Sequence, residues 1–100
     1  MRLPPQSRAI IQQAVALRWG DLAVVRVFGS RLDDSAKGGD IDLHIQVQGK
    51  VNNPIWEASL LAAQLQRQLD GRKVDVRLLD ATQNILSVDT VALSEGVLLT

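Results

Sequence analysis

A strict alternation of polar and apolar residues in the middle of the chain constrains the fold most. Between residues 40 and 48 every second side chain is apolar, namely Ile41, Leu43, Ile45 and Val47. A period of two is typical of a β-strand with one buried face and one polar face. The polar face begins with the carboxylates of Asp40 and Asp42 and continues with His44. We therefore predict a half-buried strand that carries two acidic groups on one side.

The segments around this strand predict three helices. Apolar residues recur at helical spacing between Pro5 and Gly20, and again between Asn53 and Gly71. The glycines fit helix ends, and Asn53 followed by a proline fits a helix start. Residues 85–96 fit a third, shorter helix.

Two further short segments predict strands. Residues 23–28 are rich in β-branched side chains, and residues 73–79 return to the alternating pattern. The chain ends in a short apolar tail, residues 97–99. A loop joins the first two strands and a helix joins the second and third, so the sheet should be mixed. We expect a two-layer α/β fold of the α+β type, with a mixed sheet and helices packed on one face.

Length and composition predict one domain and exclude several protein classes. The chain has 100 residues, of which 46% are hydrophobic and 22% charged, so residues 1–100 should form one packed domain. Eleven basic residues balance eleven acidic ones, which argues against long nucleic acid as a partner. There is no cysteine and no apolar run of signal-peptide or membrane-spanning length. We therefore expect a cytoplasmic protein with no membrane association.

Three acids form the candidate chemical site. Asp40 and Asp42 lie two apart on one strand, roughly 7 Å between α-carbons. Asp75 has the same polar phase on a later strand, so all three converge if the two strands are neighbours. Carboxylates this close repel one another unless a cation compensates, and hard oxygen ligands suit Mg²⁺. A pair of such ions about 3.5 to 4 Å apart is a common device for phosphoryl chemistry.

A glycine-rich loop precedes the acids and fits phosphate binding. Gly29 and Ser30 follow the first strand, where a residue without a β-carbon lets phosphate oxygens approach backbone N–H groups. The Ser30 hydroxyl adds a donor, and Arg31 adds a positive charge. Gly29 and Ser30 could also form a simple turn, and Arg31 could neutralise a nearby acid of the loop.

These residues resemble a known superfamily. Gly29-Ser30, nine intervening residues, Asp40-Ile41-Asp42-Leu43 and the distant Asp75 are similar to the nucleotidyltransferase superfamily that includes DNA polymerase beta. The small size, Arg31 after Gly-Ser and the ending 94–99 resemble its minimal nucleotidyltransferases, many of which are antitoxins. The resemblance covers nearly the entire chain.

The resemblance implies a Mg²⁺-dependent transfer of AMP from ATP to an acceptor hydroxyl, with release of pyrophosphate. It assigns Asp40 and Asp42 to metal and triphosphate binding and Asp75 to activation of the acceptor. Gly29, Ser30 and Arg31 would bind the nucleotide.

The resemblance also implies a partner. Many relatives pair with a helical HEPN-domain toxin, a ribonuclease, and can transfer AMP to its tyrosines. This chain departs from the antitoxin pattern at Asp33, where a second Arg is common, and at Gly39, where Ser is usual. Both changes predict a weaker grip on phosphate. The sequence leaves open a monomer, a homodimer or a hetero-oligomer, and the resemblance implies a HEPN toxin as the partner.

Other hypotheses remain open from the sequence. The chain could be a catalytically weak or inactive module that neutralises a toxin by binding alone. It could also modify a small molecule, although such enzymes generally need an additional helical domain. Asp75 could simply pair with Arg72, Lys73 or Arg77, and His44 is more often structural than a ligand.

Overall fold

The computed structural model describes residues 3–29 and 40–99 of the chain. Its helices and strands follow the predicted order, with one further strand at the end of the chain. In sequence they are α1 (Pro5–Trp19), β1 (Ala23–Phe28), β2 (Ile41–Val47), α2 (Pro54–Gln68), β3 (Val74–Leu79), α3 (Ser87–Glu95) and β4 (Val97–Leu98), with a single 3-10 turn, Gly20–Leu22, between α1 and β1.

The four described strands form a mixed sheet in the order β3-β2-β1-β4. β1 pairs antiparallel with both β2 and β4, whereas β2 and β3 pair parallel. The parallel pair arises because α2 carries the chain back to the starting end of the sheet, as a parallel connection requires. The predicted α+β class and mixed sheet are confirmed. The apolar tail, which carried no prediction of a strand, adds the edge strand β4.

The apolar face of the sheet packs against α1 and α2. The alternating residues of β2 predicted to be apolar and inward, such as Leu43 and Ile45, are completely buried. Ile11 of α1 and Leu61 and Leu65 of α2 are equally buried in the same cluster. These two helices therefore cover one face of the sheet, as expected.

The third helix lies against the opposite face, which differs from the expectation that all helices pack on one side. Asp89 of α3 bonds to His44 of β2 and to Arg77 of β3. Both partners occupy the polar phase of their strands, so their side chains point away from α1 and α2. Because polar contacts of Asp89, and not an apolar stripe, hold α3 against the sheet, the spacing of apolar residues predicted the helix but not the face that it covers.

The longest helices, α1 and α2, have 15 residues each. Within residues 3–29 and 40–99, no helix combines the length and the apolar character needed to cross a bilayer.

Candidate functional site

The structure brings Asp42 and Asp75 side by side. Asp42 lies on the central strand β2 and Asp75 on the edge strand β3, and the two are direct partners in the parallel pairing. Partners on neighbouring strands lie roughly 5 Å apart and project to the same side of the sheet. Asp40 lies just before β2, with an oxygen 3.8 Å from the ammonium of Lys73. The predicted convergence therefore holds for the pair, with Asp40 and Lys73 at its margin.

Among the described residues, the charges that act on Asp42 are mainly negative. Partial burial raises the pKa of the Asp42 carboxyl above its usual range, and the charges of Asp75 and Asp40 raise it further. Lys73 acts in the opposite direction and lowers this pKa, but it is the weakest of these influences. A group of carboxylates that repel one another is an arrangement that a bound cation would stabilise.

Gly29 is packed directly against the Asp42 carboxylate. The last residue of β1, Phe28, pairs with Asp42, which places Gly29 beside it. Gly29 has a φ of 75°, and a β-carbon built on it would lie 2.5 Å from Oδ2 of Asp42. Only glycine fits, both for its backbone angle and for the space. Its predicted nucleotide-binding role stays a prediction; Ser30 and Arg31 lie outside the described residues.

The donor set suits a magnesium ion that is completed by substrate. Among the described residues, no group of three or more Asp, Glu, His or Cys side chains forms a ready-made metal cage. Mg²⁺ commonly uses only one or two carboxylates and takes waters and substrate phosphates as its other ligands. Asp42 with Asp75 meets that requirement. The assignment of Asp40, Asp42 and Asp75 as metal ligands and catalytic residues stays a prediction.

A buried polar network that the sequence did not predict adjoins the acid pair. Arg77 donates from Nε to Oδ1 of Asp89 at 2.9 Å and from Nη2 to Oδ2 at 2.8 Å. The backbone N–H of Leu86 donates to the same carboxylate at 2.7 Å. These bonds hold the pKa of Asp89 far below its usual range, with the Arg77 bond as the largest cause. Arg77, considered from the sequence as a partner for Asp75, thus pairs with Asp89.

His44 belongs to the same network and is structural in this arrangement. Its Nε2 lies 2.8 Å from Oδ1 of Asp89, and its side chain is fully buried. Because an ionised Asp89 can only accept, Nε2 carries the proton. Nδ1 is buried without a hydrogen-bond partner in the described part of the chain. Burial lowers the pKa of His44 below its ordinary value, so the ring is held neutral.

A groove runs alongside the acid pair. It has a volume of about 300 Å³ and lies between α2 and the edge strand β3. Asp75 lines it, together with Ile55, Ser59 and Val76. At the start of α2, Ile55 and Trp56 are 82% and 62% exposed, which is unusual for large apolar side chains. The exposed Ile55 therefore belongs to the groove that Asp75 lines, and the exposed Trp56 follows Ile55 in the sequence.

Comparison of sequences gave no relatives. No known protein-family profile matches the chain, and no curated protein matches it significantly.

Comparison of structures identified the fold. One similar structure is the toxin-antitoxin MntA-HepT, with 20% identity and a TM-score of 0.68, over 97% of this chain and 72% of the other. Another, a toxin-antitoxin with AMP-PNP, has 21% identity and a TM-score of 0.70, over 93% and 72% of the two chains. A third is the tri-AMPylated Shewanella oneidensis HEPN toxin in complex with MNT antitoxin, with 21% identity and a TM-score of 0.67, over 95% and 70%. The chain therefore shares the fold of these structures, as the resemblance of its sequence implied.

Proposed function

We propose that this protein is a Mg²⁺-dependent nucleotidyltransferase that transfers AMP from ATP to a hydroxyl group of a partner protein. The observation that carries the proposal is the pairing of Asp42 with Asp75 in register, with Gly29 packed against the Asp42 carboxylate. The raised pKa of Asp42 supports a site that is electrostatically incomplete without a cation.

Each acid has a distinct part in this proposal. Asp40, Asp42 and Asp75 would hold the metal and, through it, the triphosphate, and Asp75 would also orient the acceptor hydroxyl and take up its proton. Magnesium, when bound, neutralises charge on the reacting phosphates. The acceptor oxygen forms a bond to the α-phosphorus of ATP, the bond from that phosphorus to the bridging oxygen breaks, and pyrophosphate leaves. Gly29, Ser30 and Arg31 bind the phosphates.

The proposed partner is a HEPN-domain toxin, with this chain as its antitoxin. Two of the similar structures support this, because one contains a tri-AMPylated HEPN toxin with an MNT antitoxin and another contains AMP-PNP. The groove beside Asp75 supports it independently, because Ile55, which lines the groove, and the next residue, Trp56, are exposed and offer apolar area for a protein surface. We place the pair in the cytoplasm, as the sequence predicts.

Label transfer from ATP tests the proposal. ATP labelled at the α-phosphate is incubated with Mg²⁺, the protein and a lysate of its native host. We expect a labelled band with the wild type and none with the Asp40→Asn, Asp42→Asn double variant. The matched control is Asp21→Asn, an exposed acid that precedes β1 at the opposite end of the sheet. Label of equal intensity with the double variant would refute the proposal.

The alternative is a module of the same fold that neutralises a toxin by binding alone. The departures from the antitoxin pattern at Asp33 and Gly39, which predict a weaker grip on phosphate, favour it. The two hypotheses differ in co-expression with the toxin. If Asp42→Asn still protects cells fully, binding alone is sufficient. If protection is lost while the complex still forms, transfer is required.

A further inference from the structure

Arg77 is placed where it could block the proposed metal site. It follows Asp75 by two residues on β3, so both side chains project to the same side, roughly 7 Å apart at the α-carbons. In the parallel pairing Arg77 is opposite His44, which makes it a diagonal neighbour of Asp42. A long side chain spans such a distance. A free guanidinium here would pair with the acids and compete with a cation.

The structure holds this guanidinium elsewhere. Both oxygens of Asp89 accept from Arg77, in the two-pronged geometry that binds a guanidinium most firmly. The Asp89 side chain is itself fully buried and fixed by His44 and by the backbone N–H of Leu86. Among the described residues, the cation that lowers the pKa of Asp42 is Lys73, whose ammonium is paired with Asp40 at the margin of the site.

We propose that Asp89 is a positioning residue for the metal site, which binds Arg77 and thereby keeps the carboxylates of Asp42 and Asp75 open to a divalent cation. The inference rests on the proposed function, since it assumes that these acids bind the metal. It adds a residue that lies outside the acid cluster and 14 positions beyond Asp75 in the sequence.

A pair of substitutions distinguishes this role from simple support of the fold. Asp89→Asn keeps the shape of the side chain but releases Arg77. We then expect the affinity for Mn²⁺, measured by calorimetry, to fall about fivefold, because competition by a partly exposed ion pair has about this effect on a binding constant. Adding Arg77→Gln removes the competing cation and should restore the wild-type affinity. If Asp89 only supported the fold, the second substitution would add damage and restore nothing.

Asp80→Asn is the matched control. Asp80 is a buried carboxylate that accepts from the backbone N–H groups of Val51 and Thr82, so its loss also weakens the fold. It releases no cation near the acids, and we expect unchanged Mn²⁺ affinity in the folded protein. Circular dichroism verifies folding of every variant. If Asp89→Asn alone does not fold, the double variant still decides, because wild-type affinity supports the inference and lost affinity overturns it.

The outcomes also separate the inference from the proposed function. Wild-type binding of Mn²⁺ with unchanged affinity in Asp89→Asn would refute the inference alone. No binding by the wild type would refute the proposed metal site as well. A crystal structure of Asp89→Asn gives a readout that needs no metal: we expect the Arg77 guanidinium within about 4 Å of Asp42 or Asp75, and a guanidinium still beside residue 89 would contradict the inference.

Discussion

Substitution of Gly29 by alanine should disturb both the fold and the acid pair, for two separable reasons. Gly29 has a φ of 75°, a conformation that alanine adopts only with strain. Its new β-carbon would also lie 2.5 Å from Oδ2 of Asp42, well inside normal contact distance. The Asp42 carboxylate therefore has to move.

Gly71 provides a matched comparison for the first effect alone. Its φ is 77°, and a β-carbon there would meet nothing within 4 Å. Gly71→Ala should therefore cost about 1 kcal/mol, since a strain of about 1–2 kcal/mol is partly offset by the stiffer unfolded chain. Gly29→Ala adds about 1 kcal/mol for forcing the Asp42 side chain off its rotamer, for a total of about 2 kcal/mol.

Thermal unfolding and Mn²⁺ titration measure the two effects separately. For a domain of this size the melting temperature should fall by about 4–8 °C with Gly71→Ala and by about twice as much with Gly29→Ala. Because only Gly29 touches Asp42, only Gly29→Ala should weaken Mn²⁺ binding. Equal destabilisation by the two substitutions, with Mn²⁺ affinity unchanged in both, would refute the close packing of Gly29 on Asp42.

Three further predictions concern charge and core packing. Asp42→Asn should raise the melting temperature at neutral pH, because burial and the neighbouring acids disfavour the ionised form of Asp42. The same substitution should lower the affinity for Mn²⁺ about tenfold or more. Burial lowers the pKa of His44 in the folded protein below the ordinary histidine value of 6.5. At pH values just below 6.5 the unfolded chain therefore binds more protons than the folded protein, so the free energy of unfolding should decrease as the pH falls through that region. Urea denaturation at a series of pH values measures this decrease. Leu65→Ala, at a completely buried position, should cost about 2–5 kcal/mol in urea denaturation, whereas Leu17→Ala, at a position 79% exposed, should change stability by less than about 0.5 kcal/mol.

Each of these predictions has a result that would contradict it. A lower melting temperature for Asp42→Asn would mean that its charge is compensated in the fold. A pH dependence between about pH 5 and pH 7 that persists in His44→Gln would assign the titration to another group. Equal losses from Leu65→Ala and Leu17→Ala would contradict the packing of α2 on the sheet.

The sequence predicted the strands and the acid pair well because alternation reports directly on strand faces. The pattern at Ile41–Val47 and at Lys73–Leu79 placed Asp42 and Asp75 in the same phase, and the helix between the strands implied that they run parallel. The structure makes the two strands neighbours and pairs Asp42 with Asp75 in register. These are local signals, so they survive without any knowledge of tertiary contacts.

Tertiary polar contacts were out of reach of the sequence. Asp89 lies 45 residues from His44, and no periodicity links the two. The alternation placed His44 on the polar face of β2, and α3 covers that face at this position, so His44 is buried. β4 was missed because two residues, Val97 and Leu98, are too few to alternate; pairing with the free edge of β1 defines them as a strand.

The most direct test of the central claim, that the acids beside Gly29 form a divalent cation site, is a Mn²⁺ titration followed by NMR of the backbone amides in the presence of ATP. We expect the signals of Gly29, Asp42 and Asp75 to broaden first, and Asp42→Asn to abolish this selectivity. Broadening that is uniform, or centred on another part of the described chain, would contradict the claim.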